Sequence, residues 1–202
     1  MGTVPHNQLE LVRKLYLEER QSALEIGQHL HVPLDAVYYF LRRHRIPRRH
    51  SSENNKIRFE KKPSSFNIKE VLNIDEERLK LSGVLLYWCE GYKTQKSSGV
   101  DFANSDLHMV LLFLRFLREV CRVDETRIKV LLYCHDESAI EKLIDYWSEK
   151  LLIPKHKFTK PYVMKVHNLE KKAKMPYGLV HIRYYDKKLL WQILEWIEEY
   201  KH

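Results

Sequence analysis

Three cysteines, Cys89, Cys121 and Cys134, are too few and too scattered in 202 residues to frame a disulfide scaffold. Their number is odd and no C-x-x-C pair occurs. They read as buried thiols in a reducing compartment, not as a zinc site. No stretch approaches the roughly eighteen uninterrupted apolar residues of a membrane-crossing helix, and no leading apolar run resembles a secretory leader. The eleven histidines are dispersed, and the nearest pairs, His29/His31 and His44/His50, lack a Cys or carboxylate at ligand spacing. No long helical repeat occurs. These absences exclude a disulfide-framed secreted domain and a membrane-spanning protein. They leave the expectation of a soluble chain in the cytoplasm or on the nucleoid.

What is present is ordinary in bulk and uneven in charge. With 44% hydrophobic and 31% charged residues the chain has a globular composition, and its length allows a small module plus a core-bearing domain. Of the formal net charge of +8, residues 1–67 hold +5, from 12 basic against 7 acidic side chains. A polyanionic partner met first by the N-terminal part is the expected consequence.

Between Asn7 and Arg20, Leu9, Val12, Leu15 and Tyr16 fall at helical spacing. Ser22-Ala23-Leu24-Glu25 is a capping box, in which hydroxyl and carboxylate each satisfy a free amide at a helix start. This second helix is expected to end at His31-Val32-Pro33, because proline suits the first turn of a new helix. The third helix carries Ala36, Val37, Phe40 and Leu41 on one face. The string SALEIGQHLHVPLDAVYYFL has helix-turn-helix spacing and resembles the DNA-binding modules of resolvases and many small regulators. In it Ile26, Leu30, Val32 and Val37 are anchors and Gly27 is the point of close approach. His31 fills the turn, where a left-handed conformation is wanted.

Leu34, Asp35, Tyr38, Tyr39 and Arg42 are then the outward residues that meet base edges or phosphates in a major groove. From Arg42 to Arg49 the chain holds five arginines and no acid. This run reads as an extended arm in which Arg43, Arg45, Arg48 and Arg49 contact phosphates or enter a minor groove.

Periodicity fades from His44 to Asn67, apart from a weakly marked helix around Ser52–Glu60. The expected division is a module at 1–50, a linker at 51–75 and a second domain at 76–202. In the second domain, helices are expected at Glu76–Glu90, from the Asn104-Ser105-Asp106 cap to Val120, at Glu137–Leu151 and after Asp186. Strands are expected at Val100–Ala103, Arg127–Tyr133, Phe158–Val163 and Leu179–Tyr185. This is an α+β domain with helices on one face of an antiparallel sheet. Tyr87 and Trp88 read as core packing, and His135-Asp136 as a turn and helix cap.

The helix Leu79–Gly91 (LKLSGVLLYWCEG) ends in an acid followed by glycine. A carboxylate at that end opposes the helix dipole by roughly 0.3–1 kcal/mol. A cation there would relieve it: Lys93, Lys96 or a bound divalent metal. With FANSDLHMVLLFLRFL and YGLVHIRYYDKKLLWQILEWI, residues 78–200 resemble the LAGLIDADG homing-endonuclease fold. That family's motif usually ends in Asp where Glu90 stands, and its minimal fold has no helix matching 137–151.

The resemblance implies that Glu90 is the Mg²⁺-binding acid, that Gly91 is the closing glycine, and that one motif per chain demands a homodimer. Ser82, Gly83 and Cys89 would supply small residues for the helix–helix seam. Lys129 or Arg183, projecting from the sheet, would stabilise transition-state charge. The expected function is Mg²⁺-dependent cleavage of double-stranded DNA. The alternative is a non-catalytic DNA-binding regulator on a degenerate copy of this domain. An RNA-binding surface is a third reading, against which no RNA-recognition signature is present.

Overall fold

A computed structural model describes residues 2–94, 96–164 and 175–201. The fold is α+β, and the chain divides into two compact units, Met1–Pro63 and Ser64–His202. In the first unit, α1 (Leu9–Arg13) runs on through one π-helical turn, Lys14–Glu18, and is followed by α2 (Ala23–His29) and α3 (Leu34–Arg43). The expected capping box forms: the Glu25 amide donates to Ser22 Oγ at 3.1 Å, and the Ser22 amide to the Glu25 carboxylate at 2.6 Å. Val12, Leu15, Tyr16, Ala23, Ile26, Val37, Phe40 and Leu41 make one buried cluster, with Leu30 and Val32 packed on it.

The turn between α2 and α3 is built as the sequence requires. His31 has φ 53°, and the Val32 amide reaches back to the Gly27 carbonyl at 2.9 Å. That is the 6→1 bond of a Schellman ending. A Cβ on Gly27 would stand 2.8 Å from the Val32 carbonyl oxygen, so only glycine fits without movement. The same device ends α3, where Arg45 has φ 53° and the Ile46 amide bonds the Leu41 carbonyl at 2.9 Å. Among the described residues, the non-glycines with positive φ are Arg20, His31, Arg45, Arg122 and Leu152, and each stands just past a helix end.

The expected linker at 51–75 is corrected on both sides of Pro63. Ser51–Lys61 is a helix, α4, in the first unit. It starts where His50 Nδ1 accepts from the Ser52 amide and it buries Ile57. From Ser64 onward the chain is already tied into the second unit. Ser65 donates to Asp186 Oδ2 through its amide (3.1 Å) and hydroxyl (2.6 Å). The Asn67 amide bonds the Cys121 carbonyl at 3.2 Å and the Lys69 amide the Val120 carbonyl at 2.9 Å.

The second unit begins its regular structure with α5 (Ile74–Glu90), β1 (Val100–Asn104) and α6 (Leu107–Arg115), the last extended by a π-helical turn, Phe116–Val120. Then follow β2 (Ile128–Cys134), α7 (Ile140–Leu151), β3 (Tyr162–Val163), β4 (Leu179–Tyr184) and α8 (Lys187–Glu199). The sheet order is β1-β4-β2-β3. It is mixed, which corrects the expectation of an antiparallel sheet: β1, β4 and β2 are antiparallel neighbours, but β3 lies parallel to β2. The reason is the crossover through α7, the kind of connection that parallel neighbours need. β3 is also shorter than expected, and Phe158 touches β2 only through a single bridge to Val130.

Val100, Phe102, Val130, Leu132, Val180 and Ile182 point to one face, where they join Leu79, Val84, Tyr87, Phe113, Trp147 and Leu190 in a single core. Cys121 and Cys134 are buried as expected, whereas Cys89 is exposed on α5.

Candidate nucleic-acid interface and the motif helix

On the first unit, Asp35, Tyr38, Tyr39, Arg42, Arg45 and Arg48 line one surface concavity with Ile46 and Pro47. Helical spacing puts Asp35, Tyr38, Tyr39 and Arg42 on the side of α3 that faces away from Val37 and Leu41. The turn at Arg45 then folds the following residues back beside them. Two cation–π contacts order this surface: Arg42 lies 5.8 Å from the Tyr39 ring centroid and Arg48 4.2 Å from that of Tyr38. Leu34 and Arg43 are exposed but lie outside this concavity.

The arm differs from its expected form. Ile46 is buried in the core, so the chain returns to the module instead of leaving it. Arg49 is held rather than free. Its guanidinium sits 4.0 Å from the Tyr16 ring centroid and donates to the Gln21 carbonyl, and its amide donates to the Tyr16 hydroxyl at 3.0 Å. Sequence spacing could not separate Arg49 from its neighbours. The outward cations are Arg42, Arg43, Arg45 and Arg48.

In the second unit, α5 starts with a capping box between Asn73 and Glu76, and Asp75, Glu76 and Glu77 all suit the positive end of its dipole. Leu79, Gly83, Val84 and Tyr87 face inward. A Cβ on Gly83 would fall 2.2 Å from Phe116 Cγ, so Gly83 serves the approach of the π-helical turn after α6 and not a seam with a second copy of α5. The outward side carries Leu81, Leu85 and Cys89, spaced four residues apart and exposed.

Glu90 is exposed at the C-terminus of α5. The cation that this helix end calls for is Lys93, whose Nζ donates to the Trp88 carbonyl at 2.7 Å and to the Gly91 carbonyl at 3.1 Å. Tyr87, whose pKa burial pushes up, donates to the Tyr92 carbonyl at 2.7 Å. Its ring lies where a Gly91 Cβ would stand, which explains the closing glycine by packing. Trp88 is half-buried against the core, as expected.

The sheet face away from the core brings the two sequence-predicted cations together, for Lys129 and Arg183 are register partners on β2 and β4. It also shows two residues that sequence reading missed. Asp101 accepts from Arg183 Nε at 2.8 Å and bonds His181 Nδ1 at 2.8 Å. His181 is buried between the rings of Tyr133 and Tyr92, and its Nε2 meets no partner among the described residues. The available signal was the alternation of polar residues in His181-x-Arg183 and the single acid Asp101 between the apolar Val100 and Phe102, which places all three on the face opposite those apolar residues. Asp136 accepts from the Ser138 amide at 2.9 Å, the expected cap.

A Mg²⁺ ion takes several oxygen ligands in near-octahedral geometry. Among the described residues no three His, Cys, Asp or Glu side chains converge as a metal site. Asp101, on the strand next to Gly91, has both oxygens engaged. A single exposed Glu90 does not by itself fit the ion. No helix among the described residues is long and apolar enough to cross a membrane. No protein-family model, no curated protein and no solved structure matches this chain.

Proposed function

We propose that the chain is a double-stranded-DNA-binding protein. It reads sequence with α3 and holds the backbone with the arginines at and beyond the end of that helix, as a regulator would. The observation that carries this reading is the shared concavity of Asp35, Tyr38, Tyr39, Arg42, Arg45 and Arg48 beside a left-handed helix-turn-helix corner at His31. Aromatic and guanidinium groups alternate there, and outward arginines suit phosphate as well as guanine edges. The outward Leu81, Leu85 and Cys89 of α5 support a homodimer in which two copies of that helix meet.

Mg²⁺-dependent cleavage is the second reading. The adjacent Lys129 and Arg183 on the sheet face away from the core favour it. Lys93 at the end of α5 and the lack of converging ligands among the described residues favour binding without cutting. The two are separated by incubating the purified chain with a randomised duplex library, with and without Mg²⁺. Selection of a preferred duplex without nicking is the expected result. No duplex preference at all would overturn the reading, and metal-dependent nicks would favour the second one.

A further inference from the structure

A groove lies between α4 and the side of the reading helices, wholly within the first unit. Its volume is about 670 Å³, inside the roughly 300–1,000 Å³ range of small-molecule sites. Tyr16, Leu34 and Tyr38 supply an apolar wall on one side, and Ile57 and Phe59 of α4 supply one on the other.

The charge inside is one-sided. Arg20, Arg48, Arg49, Arg58 and Lys61 line the groove against one acid, Glu25. That acid is already engaged: its carboxylate accepts from the Ser22 amide and sits 3.8 Å from Lys61, and its pKa is lowered first by the Ser22 backbone bond. Arg20 answers Glu60 at 3.2 Å. Arg49 adds a weaker electrostatic contribution to lowering the Glu25 pKa, but neither it nor Arg48 has a carboxylate at ion-pair distance among the described residues.

Arg49 carries the argument. One of its nitrogens donates to the Gln21 carbonyl, but Nε and Nη1 are buried with no acceptor among the described residues. Buried guanidinium donors left unmet are costly, and in native structures they call for a missing partner. The aromatic ring of Tyr16 holds the group in place at 4.0 Å, so its orientation is fixed before any partner arrives. An oxyanion is the acceptor that a planar guanidinium fits best.

We propose that this groove binds a small organic anion with a flat or apolar body, its carboxylate, phosphate or sulfonate head lying against Arg49. Tyr38 and Arg48 line both the groove and the reading concavity. An occupant therefore draws on the same arginine that faces DNA phosphates. Ligand and DNA then weaken each other's binding by one common factor, which makes the anion an effector. The coupling rests on the DNA-binding reading; the groove itself does not.

The test uses the full chain and the aromatic sulfonate 1-anilinonaphthalene-8-sulfonate, followed by fluorescence without DNA. Saturable binding of one molecule per chain is expected, displaced by benzoate and not by neutral benzamide. Arg49→Gln removes the charge, and Leu24→Trp fills the groove while leaving Arg49 in place. Each should weaken binding at least tenfold with the helical circular-dichroism signal retained. Should Arg49→Gln fail to fold, Leu24→Trp decides. Equal binding by wild type and the folded variants, or equal displacement by benzamide, would overturn the site.

A second arm measures a labelled duplex by anisotropy. Saturating benzoate should raise its Kd several-fold in wild type and leave Leu24→Trp unchanged. Benzoate that binds without moving the duplex Kd would overturn the coupling. A chain that binds benzoate but no duplex at all would refute the DNA reading and leave the groove standing.

Discussion

The guanidinium of Arg48 lies over the ring of Tyr38, 4.2 Å from its centroid, tying the arginine run to α3. Such a contact is worth about 0.5–1 kcal/mol at an exposed site, enough to bias Arg48 toward the rim of the concavity. Tyr38→Ala should therefore weaken duplex binding even where Tyr38 touches no base. Tyr38→Phe, which keeps the ring, should not. Anisotropy titration of both variants checks this, and an equal loss in the two would assign the effect to the hydroxyl.

Four outward arginines, Arg42, Arg43, Arg45 and Arg48, predict a slope of about −3.6 for log K against log salt if each neutralises one phosphate. Removing Arg45 and Arg48 together should flatten it by about 1.8. Tyr39→Ala and Arg42→Ala should in addition relax sequence preference, each by roughly 1–3 kcal/mol if a base contact is lost. Selection returning the same preferred site for both variants and for wild type would misplace the reading helix.

Glu90→Gln separates cutter from binder. Under the binding reading the variant keeps both affinity and preference, because Lys93 and not Glu90 satisfies the helix end. Under the nuclease reading the same change abolishes Mg²⁺-dependent nicking, since the amide keeps the shape but cannot neutralise the ion. A plasmid-nicking assay on wild type and variant reads the difference. Nicking retained by the variant would remove Glu90 from any catalytic role.

Asp186 should make the second unit sensitive to acid. Burial works against its charged form, but bonds from the Ser65 hydroxyl and amide and from the Lys188 and Leu189 amides outweigh it, so its pKa is lowered. A depressed folded-state pKa means stability that is present above the unfolded value of about 3.9 and lost as pH falls through the folded one. Asp186→Asn should thus destabilise the chain more at pH near 7 than near 3. Urea titrations at the two pH values measure it; the same difference at both would show that the carboxylate's charge is irrelevant.

His31 and Gly27 predict opposite signs within one turn. A left-handed non-glycine residue costs roughly 1–2 kcal/mol, so His31→Gly should raise the melting temperature of the first unit. Gly27→Ala should lower it, because the new methyl meets a backbone oxygen at 2.8 Å. A thermal scan showing His31→Gly destabilised would mean that the imidazole contributes more than the turn costs.

Local chemistry was legible in the sequence and long-range register was not. The capping box at Ser22, the turn at His31, the start of α3 after Pro33 and the cap at Asp106 all follow from residues a few positions apart. The parallel seat of β3 depends on where a crossover lands. The Asp101–His181–Arg183 cluster needs the register of two strands some eighty residues apart. Arg49 escaped because five arginines read as one block, although Ile46 among them pulls the chain inward. The segment from Ser64 to Asn73 reads as a spacer in sequence because the amides of Ser65, Asn67 and Lys69 do much of the tying, and backbone bonds leave no mark on composition.

The bond between Ser65 and Asp186 also says where this chain can be spliced. Ser65 and the amides after it belong to the second unit as its own lead-in, reaching the cap of α8 and the carbonyls at and just past the end of the π-helical turn. A graft that exchanged everything before residue 76 for another N-terminal module would strip the cap of α8 of its Ser65 partner and leave those carbonyls bare. Joined between Pro63 and Ser64, the same exchange would leave every one of these bonds in place. The transferable N-terminal cassette therefore ends at Pro63, with α4 inside it, well past the last arginine of the run.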